Sequence, residues 1–146
     1  MDEHEIEERV EELARRYGAG GGPDATQWRR VVAGPQGTPV TMINFFKLRP
    51  VAEYAGAPEA VSGMEAMMRY AAVSGPALAR VGGRFLLTGP FDATFIGDDE
   101  DWDLVAIGTY PHRAAILALF ADEAYRAAWA HRAAAVARQR VLIAAA

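Results

Sequence analysis

"RFLLTGPFDATFIGDDEDWDLVAIGTY", residues 84 to 110, places two β-rich runs in succession with only a polar stretch between them. "RFLLTG" followed by "DATFIG" reads as one long strand broken at Gly89 and Pro90, because proline lacks a ladder donor and glycine has no side chain to pack. "DLVAIGTY" reads as the next strand. Between them, "GDDEDWDLV", residues 97 to 105, gathers five acidic side chains around Trp102. Asp99, Asp101 and Asp103 fit the first three ligand positions of a calcium loop. However, Leu104 stands where that loop bends at glycine, and Tyr110 where it needs a bidentate glutamate. A metal site is therefore not expected. Short polar residues favour a turn and charge keeps it wet, so the stretch is expected to be a solvated hairpin tip. Trp102 is not explained by solvation and is expected to fold back toward the sheet as a lid or anchor, its indole N–H on a partner.

Helical patterns flank this pair of strands. On the N-terminal side Ser62 and Glu65 form an S-x-x-E capping pattern, opening a helix that carries Met64, Met67, Met68, Ala71 and Leu78 on one side. Gly75 and Pro76 are expected to kink or divide it. On the C-terminal side Pro111 opens a helical region, and Asp122 caps its second piece, "EAYRAAWAHRAAAVARQ", residues 123 to 139. Outside the helices lie "PVTMINFFKL", residues 39 to 48, and a short "RVLIA", residues 140 to 144. The resulting order is β-α-β-β-α-β: an α+β, ferredoxin-like split βαβ with an antiparallel sheet and both helices on one face. Met42 and Phe46 then lie on one side of the first strand, Ile43 and Phe45 on the other. A sheet apolar on both faces needs a second cover, for which a second subunit or the N-terminal segment is available.

That segment, residues 1 to 38, reads as a helical arm preceding a body of residues 39 to 146. Ile6, Val10, Leu13 and Tyr17 recur at helical spacing with charge on the other faces. "GAGGGPD" breaks the helix, and Asp24 with Gln27 caps a short second one through Trp28, Val31 and Val32. The glycines read as flexible hinges, and the arm is expected to add stability or oligomer contacts without carrying chemistry.

Composition narrows the function. At 146 residues with 51% hydrophobic and 23% charged, the chain forms one ordinary domain and holds no run long enough for a membrane span. The acidic, amphipathic start is the opposite of a signal peptide, which implies a cytoplasmic protein. The absence of cysteine removes disulfides, thiolate metal sites and thiol nucleophiles. A net charge of -4 with dispersed arginines argues against nucleic acid as a partner. No G-x-S-x-G, H-E-x-x-H or P-loop is present.

The remaining polar candidates are few. Asn44 sits within "MINFF", where an amide either orients a substrate carbonyl or bonds neighbouring backbone. Tyr125, Trp129, Arg132 and Val136 share one helix face, so Arg132 is placed to hold a substrate carboxylate or enolate, or else to snorkel. Arg84 begins a strand, where a rim ion pair is the alternative to substrate binding. Tyr70 borders the methionine face as a donor to a ligand or as a core-edge tyrosine. His131 is the only histidine placed to approach a pocket as a base, the alternative being a solvated helix residue. His112 falls near a helix start.

"YAAVSGPALARVGGRFLLTG" and "GTYPHRAAILALFADEAYRAAWAHRAAA" resemble the family numbered 1330 among domains of unknown function. The likeness is carried by "GGR", "YPHR" and "AYRAAWAHR" across residues 39 to 145. The chain departs from the compact form by the N-terminal arm that ends at Thr38 and by the loop from Arg49 to Val61. The family looks like part of the dimeric α+β barrel superfamily, in which two ferredoxin-like subunits pack sheet to sheet. Its members include cofactor-free monooxygenases of aromatic compounds, polyketide cyclases, isomerases and haem enzymes. Haem-degrading members share an asparagine at the position of Asn44, but ungapped matching puts Leu119 at their tryptophan and Trp129 at their haem ligand. His131 lies two residues on, about 200° around the helix. The resemblance therefore implies a homodimer that binds a small apolar or aromatic molecule without a cofactor. Asn44, Tyr70 and His131 are its candidate catalytic residues, and Arg84, Trp102, Trp129 and Arg132 its candidate binding residues. The alternative is a non-catalytic ligand-binding or assembly protein.

Overall fold

The computed structural model describes residues 1–56 and 60–145. Four strands, β1 (Val40–Leu48), β2 (Arg84–Pro90), β3 (Leu104–Tyr110) and β4 (Val136–Ala145), form one antiparallel sheet in the order β2-β3-β1-β4. The register sets Asn44 between Ala106 and Val141, and Phe46 between Leu104 and Gln139. Because strand side chains alternate, Met42, Asn44 and Phe46 share one face, and Ile43 and Phe45 share the other with Val105, Ile107 and Leu142. A register shift between Phe85 and Leu87 inserts one residue into β2, which lets Phe85 and Thr88 both align with the Asn44 face, opposite Gly108 and Ala106.

That face meets the helices α3 (Gly63–Arg80), α4 (Arg113–Ala121) and α5 (Glu123–Ala135), with α3 packed along α5. Ser62 caps α3, His112 caps α4 and Asp122 caps α5, each accepting a backbone N–H in the first turn. The buried side of α3 is Ala66, Met67, Tyr70, Ser74, Ala77 and Leu78, whereas Met64 and Met68 are exposed. The expected methionine stripe is thus displaced by about one residue's angle, toward the face that brings in Tyr70. Pro76 does not divide α3: it lies on the exposed side, and the carbonyl of Ala72 that its missing N–H would have engaged belongs to an exposed residue.

Two strand boundaries differ from expectation. "DATFIG" is not strand, since β3 begins only at Leu104 and leaves residues 92–97 no ladder partner among the described residues. Phe95 and Ile96 are exposed there. Conversely, β4 starts at Val136, so α5 ends four residues before the expected Gln139. Pairing of Val136, Arg138 and Gln139 with β1 overrides the helical tendency of "VARQ".

The arm forms α1 (Glu3–Tyr17) and α2 (Ala25–Val32), joined by a single 3₁₀ turn, Gly18–Gly20. Both helices carry a complete capping box, Asp2 with Glu5 and Asp24 with Gln27. Their apolar stripes enter the common core: Tyr17 and Trp28 stack edge-on against Phe120 at 5.0 and 4.9 Å, and the Tyr17 hydroxyl donates to the Phe120 carbonyl. The glycines do not act as loose hinges. The Gly20 carbonyl accepts from the Trp129 indole and the Gly21 carbonyl from the Gln139 amide, while a Cβ on Gly20 would lie 2.7 Å from the Trp129 nitrogen. The arm packs on the helical side, so it does not cover the Ile43–Phe45 face. Leu87 and Leu142 on that face are 55% and 41% exposed. No helix among the described residues is long and apolar enough to cross a membrane. Residues 57–59 of the Arg49–Val61 loop lie outside the described residues, as does Ala146.

Candidate functional site

Between the sheet and the helices lies a cavity of about 820 Å³. Met42, Asn44 and Phe46 form its floor, Met67, Tyr70 and Ser74 one wall, and Tyr125, Trp129 and Arg132 another. The arm closes it with Gly21, Gly22, Gln27 and Trp28. Its wall is mostly apolar and aromatic, with a few polar atoms converging on one end.

Arg132 dominates that end. It is 7% exposed, and its guanidinium stacks 4.6 Å from the Trp129 ring and 4.8 Å from the Phe46 ring. Nε and Nη2 donate to Gln139 Oε1 at 3.3 and 2.8 Å, and Nη1 donates to the Tyr70 hydroxyl at 3.1 Å. Among the described residues no carboxylate pairs with it. A guanidinium carries five N–H donors, so Nη1 and Nη2 each keep one N–H without an acceptor among the described residues. Burial works against its charge, yet the oxygens of Tyr70 and Tyr125 outweigh that and raise its pKa above the ordinary value. An arginine buried as a cation, with neutral partners and spare donors, has the chemistry to pair with an anion.

The tyrosines extend the polar end. Tyr70 and Tyr125 share a hydrogen bond of 2.5 Å between their hydroxyls. Burial pushes the Tyr125 hydroxyl well above the usual phenol range, and burial raises Tyr110 similarly, so both stay neutral in the fold. Asn44 commits its amide N–H to the carbonyl of Ala106 at 3.0 Å, leaving Oδ1 without a donor among the described residues. The Trp28 indole N–H, also in the cavity wall, is buried with no acceptor among the described residues.

The structure brings together four of the seven candidate residues: Asn44, Tyr70, Trp129 and Arg132 all line the cavity. Three lie elsewhere. His131 faces the loop after β1, its Nδ1 2.6 Å from the Tyr54 hydroxyl, because it stands one residue before Arg132 and so points away from the cavity. Arg84 is exposed on β2 opposite Thr109, and among the described residues it forms no ion pair. Trp102 is buried as expected, and its indole reaches Glu100 at 3.1 Å. It packs on Phe45 and under the Arg138 guanidinium, however, which places it on the opposite face of the sheet from the cavity. The acidic stretch is tied down by cations: Lys47 meets Asp101 at 3.0 Å and Arg140 meets Glu100 at 3.1 Å. Among the described residues no group of acidic or histidine side chains is arranged to hold a metal.

Sequence reasoning missed Gln139 and the contribution of the arm. The helical pattern of "VARQ" puts Gln139 at the end of a helix, whereas it lies on a strand. Gly21, Gly22 and Trp28 showed only a break and an apolar stripe. Tyr125 was visible on the Arg132 face, but nothing in the spacing showed that its hydroxyl would meet Tyr70.

The sheet order, the helical cover and this arginine-bearing cavity define a small mixed α+β protein with an internal polar centre. The family model described as "Domain of unknown function (DUF1330)" matches residues 53–146, and the chain belongs to that family. The crystal structure of a protein of unknown function from Rhodopseudomonas palustris is similar at 36% identity and a TM-score of 0.76, covering 84% of this chain and 93% of that one. The structure of the same protein in methylated form is similar at 35% identity and a TM-score of 0.78, covering 86% and 93%. Those shares exceed residues 39–146 alone, so the likeness extends into the arm. No curated protein matches the chain at significant similarity.

Proposed function

We propose that the chain binds a small, largely apolar or aromatic organic molecule bearing an anionic group, in the cavity between its sheet and helices. The observation that carries this is Arg132: a buried guanidinium with uncommitted donors and no carboxylate partner among the described residues, set in an apolar chamber. A purely structural arginine would be matched by a carboxylate or by backbone carbonyls. The β-α-β-β-α-β order around the sheet supports a ferredoxin-like body, and the incompletely covered Ile43–Phe45 face, with Leu87 and Leu142 exposed on it, supports a homodimer of the α+β barrel kind.

Any chemistry here has a phenol for proton transfer, not an imidazole, since Tyr70 lines the cavity and His131 does not. That suits cofactor-independent oxygenation, isomerisation or cyclisation, with Arg132 holding the anion and Asn44 orienting the molecule. A second reading, a non-catalytic binding or assembly protein, is favoured by one observation: no histidine or carboxylate lines the cavity among the described residues.

Trp28 and Trp129 in the cavity wall supply the assay. Titration with 1-naphthoate should quench tryptophan fluorescence saturably, and 1-naphthalenemethanol, its neutral counterpart, should bind more weakly. Absence of a saturable change with either probe would defeat the proposal.

A further inference from the structure

Resting on the sheet-face homodimer proposed above, we infer that the loop of residues 91–103 is a clasp for a second copy of the chain: standing on one end of the Ile43–Phe45 face, it docks on the opposite, bare end of that face in its partner. The loop is a built element. The Phe91 N–H donates to the Asp103 carbonyl at 3.1 Å and closes its base, and the Glu100 N–H donates to the Thr94 hydroxyl at 3.0 Å and closes its tip. Gly97 turns the chain there at φ +107°, a conformation in which a side chain is strained. Between these ties Phe95 and Ile96 are held 96% and 85% exposed. Two adjacent large apolar side chains kept in water by a fixed turn mark a contact surface, whereas single ones scattered over a surface do not.

The path of the loop decides what covers it. Phe91 and Trp102 pack on Phe45, Asp101 meets Lys47 and Glu100 meets Arg140, so the loop rises from the sheet at the end that carries Lys47. The other end is low: its last row is Arg84, Thr109, Thr41 and Ala144, with Leu87 and Leu142 exposed in the row before. Two sheets packed face to face lie about 10 Å apart, which leaves room for one layer of loop and not for two. A second copy therefore fits with its ends reversed, each loop against the other's low end, the reciprocal contact that a two-fold axis generates. Charge matches in the same sense. Asp92, Asp98 and Asp99 on the loop and Arg84 on the low end have no ion pair among the described residues, so one face carries both halves of the match. Six acidic residues between 92 and 103 make an anionic membrane an unfavourable occupant.

The test is the dimer dissociation constant of the full chain, measured by sedimentation velocity over a dilution series. Phe95→Ser removes an apolar contact that a two-fold assembly makes twice, and should raise the constant at least about tenfold. Arg84→Glu, and separately a loop carrying Asp92→Lys, Asp98→Lys and Asp99→Lys, should each raise it by about tenfold or more at low salt. Joining the two charge reversals in one chain should return it to within about threefold of wild type. All five positions are exposed in the single chain, so the substitutions spare its fold, which near-ultraviolet circular dichroism checks. A dimer that Phe45→Asp breaks but that neither Phe95→Ser nor the charge reversals weaken, or reversals whose combination restores nothing, would overturn the clasp and leave the sheet-face reading standing. A wild-type species of only 15.8 kDa would overturn both.

Discussion

Replacing Arg132 by methionine is expected to abolish anion binding while leaving the fold almost as stable as before. The wild-type side chain makes one bond to Tyr70 and shares Gln139 Oε1 between two donors. At about 1.5–3 kcal/mol per charge-assisted bond, counting the shared oxygen once, that is gross support of about 3–6 kcal/mol. The Trp129 and Phe46 faces add about 1 kcal/mol each. Against this stands the cost of removing an unpaired guanidinium from water, still several kcal/mol after relaxation. Methionine relieves that cost and buries a flexible apolar chain against the same rings, for about 2 kcal/mol. No orphaned charge remains, because the partners are neutral, and Gln139 is only partly buried, so its oxygen can take water. The terms nearly cancel, and the expected change in unfolding free energy is no more than about 2 kcal/mol in either direction. Urea denaturation measures the stability and 1-naphthoate quenching the binding. A loss of more than about 4 kcal/mol, the scale of a broken buried charge network, with binding unchanged would refute the reasoning and make Arg132 a structural residue.

Gly20→Ala should cost about 1–3 kcal/mol by urea denaturation, because the added methyl meets the Trp129 indole nitrogen at 2.7 Å; an unchanged midpoint would mean the arm is not held so closely. In alkali, burial raises the Tyr17 hydroxyl to about 12, above the unfolded value near 10, so its contribution is full below about pH 10 and is lost as pH rises through 12. Absorbance at 295 nm should then show phenol ionisation continuing to about pH 12, and ionisation of all five tyrosines together near pH 10 in a folded protein would contradict it. Light scattering at micromolar concentration should show a dimer that Phe45→Asp converts to monomer; a wild-type species of only 15.8 kDa would remove the sheet-face interface. Calorimetry should find no calcium binding below millimolar concentration, and a tight isotherm abolished by Asp101→Asn would reverse the reading of the acidic stretch.

The elements whose signals are local were legible in the chain. The caps at Asp24, Ser62 and Asp122 and the two faces of β1 need only short-range rules, and the structure shows each of them. What escaped depends on partners distant in sequence. "VARQ" has helical propensity and becomes strand because β1 is there to pair with it. "DATFIG" has strand propensity and stays irregular for want of a neighbour. The same distinction divides the candidate site. Arg132 and Trp129 could be placed by helical spacing, and Asn44 by its apolar surroundings. Sharing a helix with Arg132 does not place His131, nor does its apolar ring place Trp102: only the rotation of α5 and the path of residues 91–103 decide which way they face.

Gln139 touches both halves of the molecule: its nitrogen holds the Gly21 carbonyl of the arm, and its oxygen holds two donors of Arg132. Docking of α1 and α2 and aiming of the cavity's cation therefore share a single side chain. Thermodynamic reciprocity makes the coupling run both ways. A molecule that fixes Arg132 also restrains Gln139 and, through it, the arm, so occupancy of the chamber should slow proteolysis at Arg29 and Arg30, near the opposite end of the chain. The arm offers little chemistry of its own, yet on this coupling its resistance to protease becomes a gauge of whether the chamber is filled.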